Sequence, residues 1–272
     1  MQGTRQYVVP LTAVALAICY ASTLRGMVEQ WAHDEDMAHG FIVPLVILWV
    51  VWRERDRWRS LPRKASVWGY AILALAAGLD LAGALGVGLF ARSLAFLLSV
   101  AGAILCLRGF AWLRVWTFPF VLALFMLPKL AIVYNQVTLP LQLLATRLAA
   151  AMLTVAGFAV IRSGNILNVA GHQIAVVEAC DGIRYLIPLV FTALVLGYLT
   201  GSKQWMKVTL ALAAGPVAIV ANGIRVAAAA PIPALATGPM HSMAGWLIFL
   251  LCLITLALVH RLLQTIYTRY AA

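Results

Sequence analysis

Residues 243–259 read MAGWLIFLLCLITLALV, a stretch without a single charged side chain. Its length is close to the roughly 20 apolar residues that a helix needs to cross the hydrocarbon core of a bilayer. The whole chain is similar in character, with 64% hydrophobic residues, 11% charged residues and a mean hydropathy of +0.95. Soluble domains carry about 25% charged residues, so this composition argues against a water-soluble fold and predicts an all-α polytopic membrane protein.

Further apolar runs precede this stretch along the chain. The second run is short, and the sixth carries Gln142 and Arg147 in its first half. No internal repeat, low-complexity tract or linker interrupts the series, which predicts one integral membrane domain over residues 1–272. The candidate segments are residues 7–24, 40–52, 67–87, 91–107, 115–130, 139–161, 183–200, 206–221 and 243–259.

The positive charge of the chain lies in the short connections between these runs. A net charge of +11 would suggest nucleic-acid binding in a soluble protein, but here the basic residues indicate orientation, because short cytoplasmic loops are rich in Lys and Arg. We therefore expect no nucleic-acid partner, contacts with membrane lipids, and a cytoplasmic loop after the second run. This loop carries Arg53, Arg55, Arg57, Arg59, Arg63 and Lys64. The loop before that run is acidic and falls outside; it carries Glu29, Asp34, Glu35 and Asp36.

The sixth run, residues 139–161, decides the topology of the rest. If it crossed the membrane, Lys203 and Lys207 would lie on the outer side, against the charge rule. We therefore predict an interfacial or re-entrant helix here, about eight crossings elsewhere, and both termini in the cytoplasm. A polar stripe along this helix would be formed by Gln136, Gln142 and Arg147.

The helical pattern stops between residues 162 and 179. Apolar residues flank Gly171 in this stretch, which predicts a small hairpin or extended segment on the outer face. The segment leads directly to Cys180 and to a helix that begins at about Gly182. The flanking apolar residues are Ile166, Val169, Ile174, Val176 and Val177.

Cys180 is the best candidate for a nucleophile. A thiol at a helix N-terminus meets the positive end of the helix dipole, and Arg184 follows about one turn later, so a thiolate is favoured. Glu178 and Asp181 work against it as neighbouring negative charges, although Asp181 is also suited to cap the helix. The cysteines at 19, 106 and 252 lie in apolar runs with no metal-binding spacing, and we expect neither metal nor organic cofactor.

Two further polar clusters fall on the same outer face in this topology. Asn222 and Arg225 end the eighth run, and His241 begins the ninth. Taken singly, an arginine here is suited to anchoring at the headgroups and a histidine to a structural contact. Together with Cys180 they supply what acyl transfer needs: a nucleophile, a proton carrier and a group that stabilises an oxyanion. His39 is the rival base, because it also lies outside.

These segments resemble the exosortase and archaeosortase family of membrane cysteine transpeptidases. The resemblance rests on Ala38-His-Gly-Phe-Ile-Val-Pro44, Glu178-Ala-Cys-Asp-Gly-Ile-Arg-Tyr185, Asn222-Gly-Ile-Arg-Val226 and His241, within a core of about 38–262. It implies that Cys180, Arg225 and His241 form the catalytic set. The family usually has serine after the cysteine, where this chain has Asp181, which adds a negative charge beside the nucleophile.

The resemblance also implies a substrate class and a location. The expected substrates are exported proteins that end in a short motif, a hydrophobic helix and a basic tail. The enzyme would cleave them through a thioacyl intermediate in a bacterial inner membrane and transfer them to a surface or matrix acceptor. Two alternatives remain: a small transporter or channel lined by Asp80, Arg147, Arg184 and Arg225, and a histidine-dependent membrane acyltransferase.

Overall fold

The fold is known from a computed structural model, which describes residues 2–169, 171–176, 182–232, 235 and 238–270. Three short strands, β1 (Val160–Ser163), β2 (Ile166–Val169) and β3 (His172–Ala175), form an antiparallel sheet in that order. The α-helices are α1 Gln2–Cys19, α2 Ala21–His33, α3 Ile42–Arg53, α4 Arg55–Arg59, α5 Trp68–Ala82, α6 Leu89–Leu107, α7 Phe110–Val115, α8 Thr117–Ala123, α9 Ala131–Val155, α10 Ile183–Leu199, α11 Gln204–Ala229 and α12 Gly238–Tyr270.

Each apolar run of the sequence lies mostly in helices, and the chain is a multi-pass α-helical membrane protein. Among the described residues, 6 helical segments are long and apolar enough to cross a bilayer, and 7 if α1 and α2, bent by 65°, count as one span. Thr117–Met126 and Ile183–Leu199 are shorter apolar helices. The segments that pass are Glu35–Arg53, Trp68–Val87, Leu89–Leu107, Ala131–Val155, Gln204–Ala229 and Gly238–Arg269.

Helix α9 differs from the predicted sixth segment in its bounds and in its polar face. It begins before residue 139, and it ends at Val155, so that strand β1 takes up the last residues of the run. Gln142 is buried, whereas Gln136 and Arg147 are exposed, so the predicted polar stripe is wrong. Positions 136 and 142 point about 120° apart around a helix of 3.6 residues per turn, and positions 142 and 147 about 140° apart, so Gln142 does not lie in line with the other two. With 25 residues, α9 is long enough for a full crossing.

The predicted hairpin before Cys180 is confirmed as the three-stranded sheet. Val160 pairs with Val169, and Ile166 pairs with Ala175, in the antiparallel registers of the two strand pairs. The side chain of Val176 is buried at the end of the sheet, and its backbone N–H donates to the Asn165 carbonyl at 2.8 Å. The sheet packs on α9 and α11 through a core of Ala149, Leu153, Leu167, Val169, Val176, Val226 and Ala230.

The chain divides into two compact units, Met1–Leu130 and Ala131–Ala272, and each is described by itself. The single membrane domain expected over residues 1–272 stays a prediction. In the second unit, α10, α11 and α12 pack around a core dominated by leucine and alanine. Its buried members are Leu189, Ala193, Leu210, Ala214, Ala218, Ala221, Cys252 and Leu256.

In the first unit, α5 and α6 form a helical hairpin that depends on two glycines. A Cβ atom added to Gly69 would lie 2.6 Å from the Cys106 backbone nitrogen and 2.7 Å from the Gly102 carbonyl oxygen. A Cβ on Gly102 would lie 2.9 Å from Leu73 Cγ. Small residues of this kind let membrane helices approach each other closely.

Gly69→Ala is expected to destabilise the protein, because the added methyl group meets backbone atoms that cannot move aside. Overpacking typically costs about 1–3 kcal/mol, and we expect a lower midpoint in thermal unfolding of the detergent-solubilised protein. Gly78→Ala on the same helix is the matched control, since its Cβ would meet nothing within 4 Å. Equal midpoints for the two variants would contradict the proposed close contact.

Candidate functional site

The site in the second unit begins at Gly182, the residue that precedes α10. Its φ is +88°, a conformation that glycine adopts readily, and its carbonyl accepts hydrogen bonds from the N–H groups of Tyr185 and Leu186. A Cβ atom here would lie 3.3 Å from the Asn222 side chain. The predicted helix start is therefore confirmed, and it lies against α11. Cys180, Glu178 and Asp181 lie outside the described residues.

Asn222 and Arg225 lie one turn apart on α11 and share a face. Both side chains are buried, Asn222 to 1% exposure and Arg225 to 4%. Between them in sequence, Gly223 packs against Leu148 of α9. A charged guanidinium at this depth in an apolar bundle is costly unless it has polar partners.

The described partner of Arg225 is His241, at the start of α12. Nη2 of Arg225 lies 2.6 Å from Nε2 of His241, and Nδ1 of His241 lies 2.9 Å from the Leu235 carbonyl oxygen. Arginine only donates and a carbonyl only accepts, so Nε2 must be the acceptor and Nδ1 the donor. The contacts thus define a neutral imidazole with its proton on Nδ1. The lone pair on Nε2 is the basic group of the site.

Tyr185 and Gly245 complete this arrangement, and sequence reasoning missed both as functional residues. The guanidinium carbon of Arg225 lies 5.4 Å from the centroid of the Tyr185 ring, which stacks on Phe249 at 6.3 Å. A Cβ on Gly245 would lie 2.8 Å from the Tyr185 hydroxyl oxygen and 3.7 Å from Arg225 Nη2. The sequence did hold a signal for Gly245, because it follows His241 by four residues and therefore lies on the same face of the helix.

Arg184 is half-buried in the first turn of α10. It lies next to Tyr185 in sequence, but successive helical residues point about 100° apart, so the two side chains leave the helix in different directions. The structure therefore brings together Asn222, Arg225 and His241 from the predicted set, with Gly182 beside them.

His39, the rival base, belongs to the first unit and has a different kind of environment. Its Nδ1 lies 3.1 Å from the Asp36 carbonyl oxygen, and its Nε2 lies 3.0 Å from the Phe125 carbonyl oxygen. Both partners only accept hydrogen bonds, so a neutral ring donates to one of them and only an imidazolium donates to both. Such an imidazole joins the 3-10 turn Glu35–Phe41 to the turn Leu124–Met126, and this geometry favours an anchoring role over proton abstraction.

Lys129 strengthens the same junction. Its Nζ lies 2.7 Å from an Asp34 carboxylate oxygen and 2.9 Å from an Asp36 carboxylate oxygen. Burial acts to lower the pKa of Lys129, but the hydrogen bonds and charges of the two aspartates outweigh burial and raise it above the ordinary value. The N–H of Trp31 also donates to the Met126 carbonyl at 3.1 Å. These contacts hold residues 34–41 against residues 124–129.

The chemistry available in the second unit is proton transfer and anion stabilisation. His241 has a basic nitrogen, and Arg225 supplies a fixed positive charge in direct contact with it. Within the described ranges, no group of three or more His, Cys, Asp or Glu side chains is arranged to hold a metal ion.

The comparisons with known proteins identify one family. Residues 31–258 match the family model described as transmembrane exosortase (Exosortase EpsH), which covers most of the chain. No curated protein and no solved structure shows a significant match. The matched range includes α10, α11, His241 and Gly245. The chain belongs to the transmembrane exosortase family.

Proposed function

We propose that this protein is a membrane-embedded cysteine transpeptidase that cleaves a C-terminal sorting signal on exported proteins. Membership of the exosortase family implies an enzyme of the transpeptidase type. The observation that carries the proposal is the 2.6 Å contact between Arg225 and His241, beside the helix start that follows Cys180. In this reading Cys180 is the nucleophile, His241 the proton carrier and Arg225 the group that stabilises the oxyanion.

Chain length supports the assignment of Cys180. Two peptide units separate Cys180 from Gly182, and each spans about 3.8 Å between Cα atoms. Gly182 contacts Asn222, which lies one helical turn from Arg225. Covalent geometry therefore keeps the Cα atom of Cys180 within about 7.6 Å of that of Gly182, which supports the proposal that its thiol acts beside Arg225 and His241.

The first half of the reaction would form a thioester. The Cys180 thiol gives its proton to Nε2 of His241 as its sulfur attacks the carbonyl carbon of the scissile peptide. A new S–C bond and an oxyanion result. The C–N bond then breaks, the imidazolium of His241 returns the proton to the leaving amine, and the acyl group stays on Cys180.

During this step Arg225 exchanges its hydrogen bond to His241 for one to the oxyanion. Arg225 can donate to Nε2 only while Nε2 is unprotonated, because both groups are donors once the imidazole is charged. Nε2 has a single lone pair, so it takes up the Cys180 proton only as the hydrogen bond from Arg225 breaks, while the oxyanion forms. Nη2 of Arg225 is then released to donate to that oxyanion, where positive charge in a low-dielectric site is most effective.

The second half of the reaction would transfer the acyl group. An acceptor nucleophile gives its proton to Nε2 and attacks the thioester carbonyl, and the thiolate leaves and recovers a proton from His241. The substrate's own hydrophobic helix would lie in the bilayer beside the enzyme, which raises the effective concentration of its cleavage motif. The acceptor would be a group at the cell surface or in the extracellular matrix.

The distribution of basic residues supports the orientation of the enzyme. We propose a bacterial inner-membrane location, cytoplasmic termini and a site at the outer face, because the most basic loop follows the second run and short basic loops stay in the cytoplasm. The start of α12, with His241, then lies outside. Asp181 in place of the usual serine adds negative charge near the thiol, and Arg184 is suited to balance it.

The transporter reading has less support from the described residues. Asp80 does not offer a free carboxylate to a polar pathway, because it pairs with Arg92 at 3.2 Å. Arg147 is exposed on α9. A histidine-dependent acyltransferase would use the same basic nitrogen of His241. It differs from the proposed enzyme only in not needing the Cys180 thiol.

Replacing Cys180 tests the proposal directly. Cys180→Ala is expected to abolish processing of a membrane-tethered reporter with a C-terminal sorting signal, because the proposed thioester forms on the Cys180 sulfur. Cys19→Ala is the matched control, since this thiol is exposed on α1, and its processing should equal that of the wild type. Immunoblotting measures cleavage and membrane abundance in the same cells. Unchanged cleavage in Cys180→Ala would favour the histidine-dependent reading.

Gly245→Ala tests the arrangement around Arg225. The added methyl group would push on the Tyr185 hydroxyl and move the guanidinium that the ring supports, so we expect processing about tenfold to a hundredfold slower. Gly215→Ala on α11 is the control, because its Cβ would meet nothing within 4 Å. Initial cleavage rates, normalised to enzyme abundance, give the comparison. Equal rates for the two variants would show that this geometry is not required.

A further inference from the structure

Two basic segments of the first unit meet at one end of the α5–α6 hairpin. The backbone N–H of Lys64 donates to the Arg108 carbonyl at 3.2 Å, and that of Ser66 donates to the Leu105 carbonyl at 3.0 Å. Gly109, with φ of +89°, lies directly against the Lys64 carbonyl. These contacts hold the segment with Arg63 beside the end of α6.

The carboxylates of this loop are engaged with other arginines. Glu54 lies 3.4 Å from Arg57, and Asp56 lies 3.9 Å from Arg55. In the part of the chain that the structure describes, no carboxylate pairs with Arg63 or Arg108. Burial, and then the nearby charge of Arg63, lower the pKa of Arg108. Two neighbouring guanidinium groups without a counter-charge favour an anion between them.

Aromatic side chains form the other half of this surface. The guanidinium carbon of Arg108 lies 4.7 Å from the Trp112 ring centroid, and the rings of Trp112 and Trp116 lie 5.2 and 6.1 Å from that of Trp58. Trp58 donates its N–H to the Val51 carbonyl. The N–H groups of Trp112 and Trp116 are buried without an acceptor, and Trp112 is only 6% exposed. A buried donor of this kind lacks a partner that it normally has.

The position of this surface suggests which molecule supplies the anion for the two arginines and the acceptor for the indole N–H. It lies where the span Leu89–Leu107 ends and the span Trp68–Val87 begins, at the boundary between hydrocarbon and headgroups. Tryptophan and arginine are typical of that boundary. A phospholipid offers phosphate oxygens there for guanidinium groups and, slightly deeper, ester carbonyls for an indole N–H.

We propose that Arg63, Arg108 and Trp112 form a binding site for the headgroup of an anionic phospholipid. The phosphate draws the Arg108 side chain off the Trp112 ring and bridges it to Arg63. An ester carbonyl of the same lipid then accepts a hydrogen bond from the Trp112 N–H, which this movement of Arg108 uncovers. An anionic headgroup is favoured over a zwitterionic one, because two unpaired guanidinium charges attract net negative charge.

The test measures lipid binding to the full-length protein purified in detergent. Native mass spectrometry gives the fraction of protein that carries phosphatidylglycerol or phosphatidylcholine as each lipid is titrated. We expect wild type to bind phosphatidylglycerol in preference to phosphatidylcholine. The double variant Arg63→Gln with Arg108→Gln should weaken phosphatidylglycerol binding about tenfold or more, since each basic group near a membrane surface contributes about fivefold.

The matched control removes the same net charge, from the loop that carries Arg63. Arg55→Gln with Arg57→Gln replaces arginines already engaged with Asp56 and Glu54, so phosphatidylglycerol binding should change by less than about twofold. An equal loss in the two double variants would overturn the proposal, because it would show only diffuse attraction to a basic loop. If the Arg63 and Arg108 double variant does not fold, Arg63→Gln alone carries the test, with a loss of about fivefold expected.

Two further arms distinguish a lipid from free phosphate. Millimolar inorganic phosphate should leave phosphatidylglycerol bound, and its displacement would overturn the lipid assignment. Trp112→Phe keeps an aromatic ring at this position but removes the N–H, and should weaken phosphatidylglycerol binding about twofold to tenfold. Unchanged binding in that variant would overturn the proposed ester contact.

Discussion

The contact between Arg225 and His241 is the constraint on which the second unit depends. A guanidinium that is 4% exposed among apolar helices must have polar partners, since an uncompensated charge there is costly. Meeting that requirement fixes the distance between α11 and α12 at this point and orients the imidazole through the Leu235 carbonyl. It also requires a residue without a side chain at Gly245. The same bond that makes the charge tolerable leaves the basic nitrogen of His241 in contact with a positive group.

The packing around Arg225 and His241 both stabilises the second unit and positions the groups of the proposed reaction. Around it, α10, α11 and α12 pack through alanine and leucine, which supply apolar contact but no hydrogen bonds. The small sheet packs on α9 and α11 and ends at the buried Val176, so the chain enters the cysteine segment from a fixed point and leaves it at Gly182. In the proposed mechanism, the nucleophile belongs to the short segment between these two points, and a short tether of this kind favours catalysis by proximity.

The sequence predicted the class of fold because bilayer thickness sets a length that apolar runs reveal directly. It also predicted the hairpin and the start of α10, from β-branched residues around Gly171 and from Gly182. It placed Asn222, Arg225 and His241 at one face, and the structure brings them together. Tyr185 and Gly245 escaped notice because their roles depend on which helix face meets which neighbour. The polar stripe on α9 was wrong because Gln142 packs inward while Arg147 faces out. The identity of the nucleophile remains a prediction from the family pattern.

The central claim is that Cys180 carries the acyl group, and peptide mass spectrometry of the trapped enzyme tests it most directly. Purified enzyme is incubated with a sorting-signal substrate, denatured in acid and digested, and the mass of the Cys180 peptide is measured. The proposed mechanism predicts an adduct equal to the substrate portion before the cleaved bond, released by hydroxylamine as a thioester is. Cleavage of the substrate with no adduct on Cys180, or with the acyl group on another residue, would contradict it.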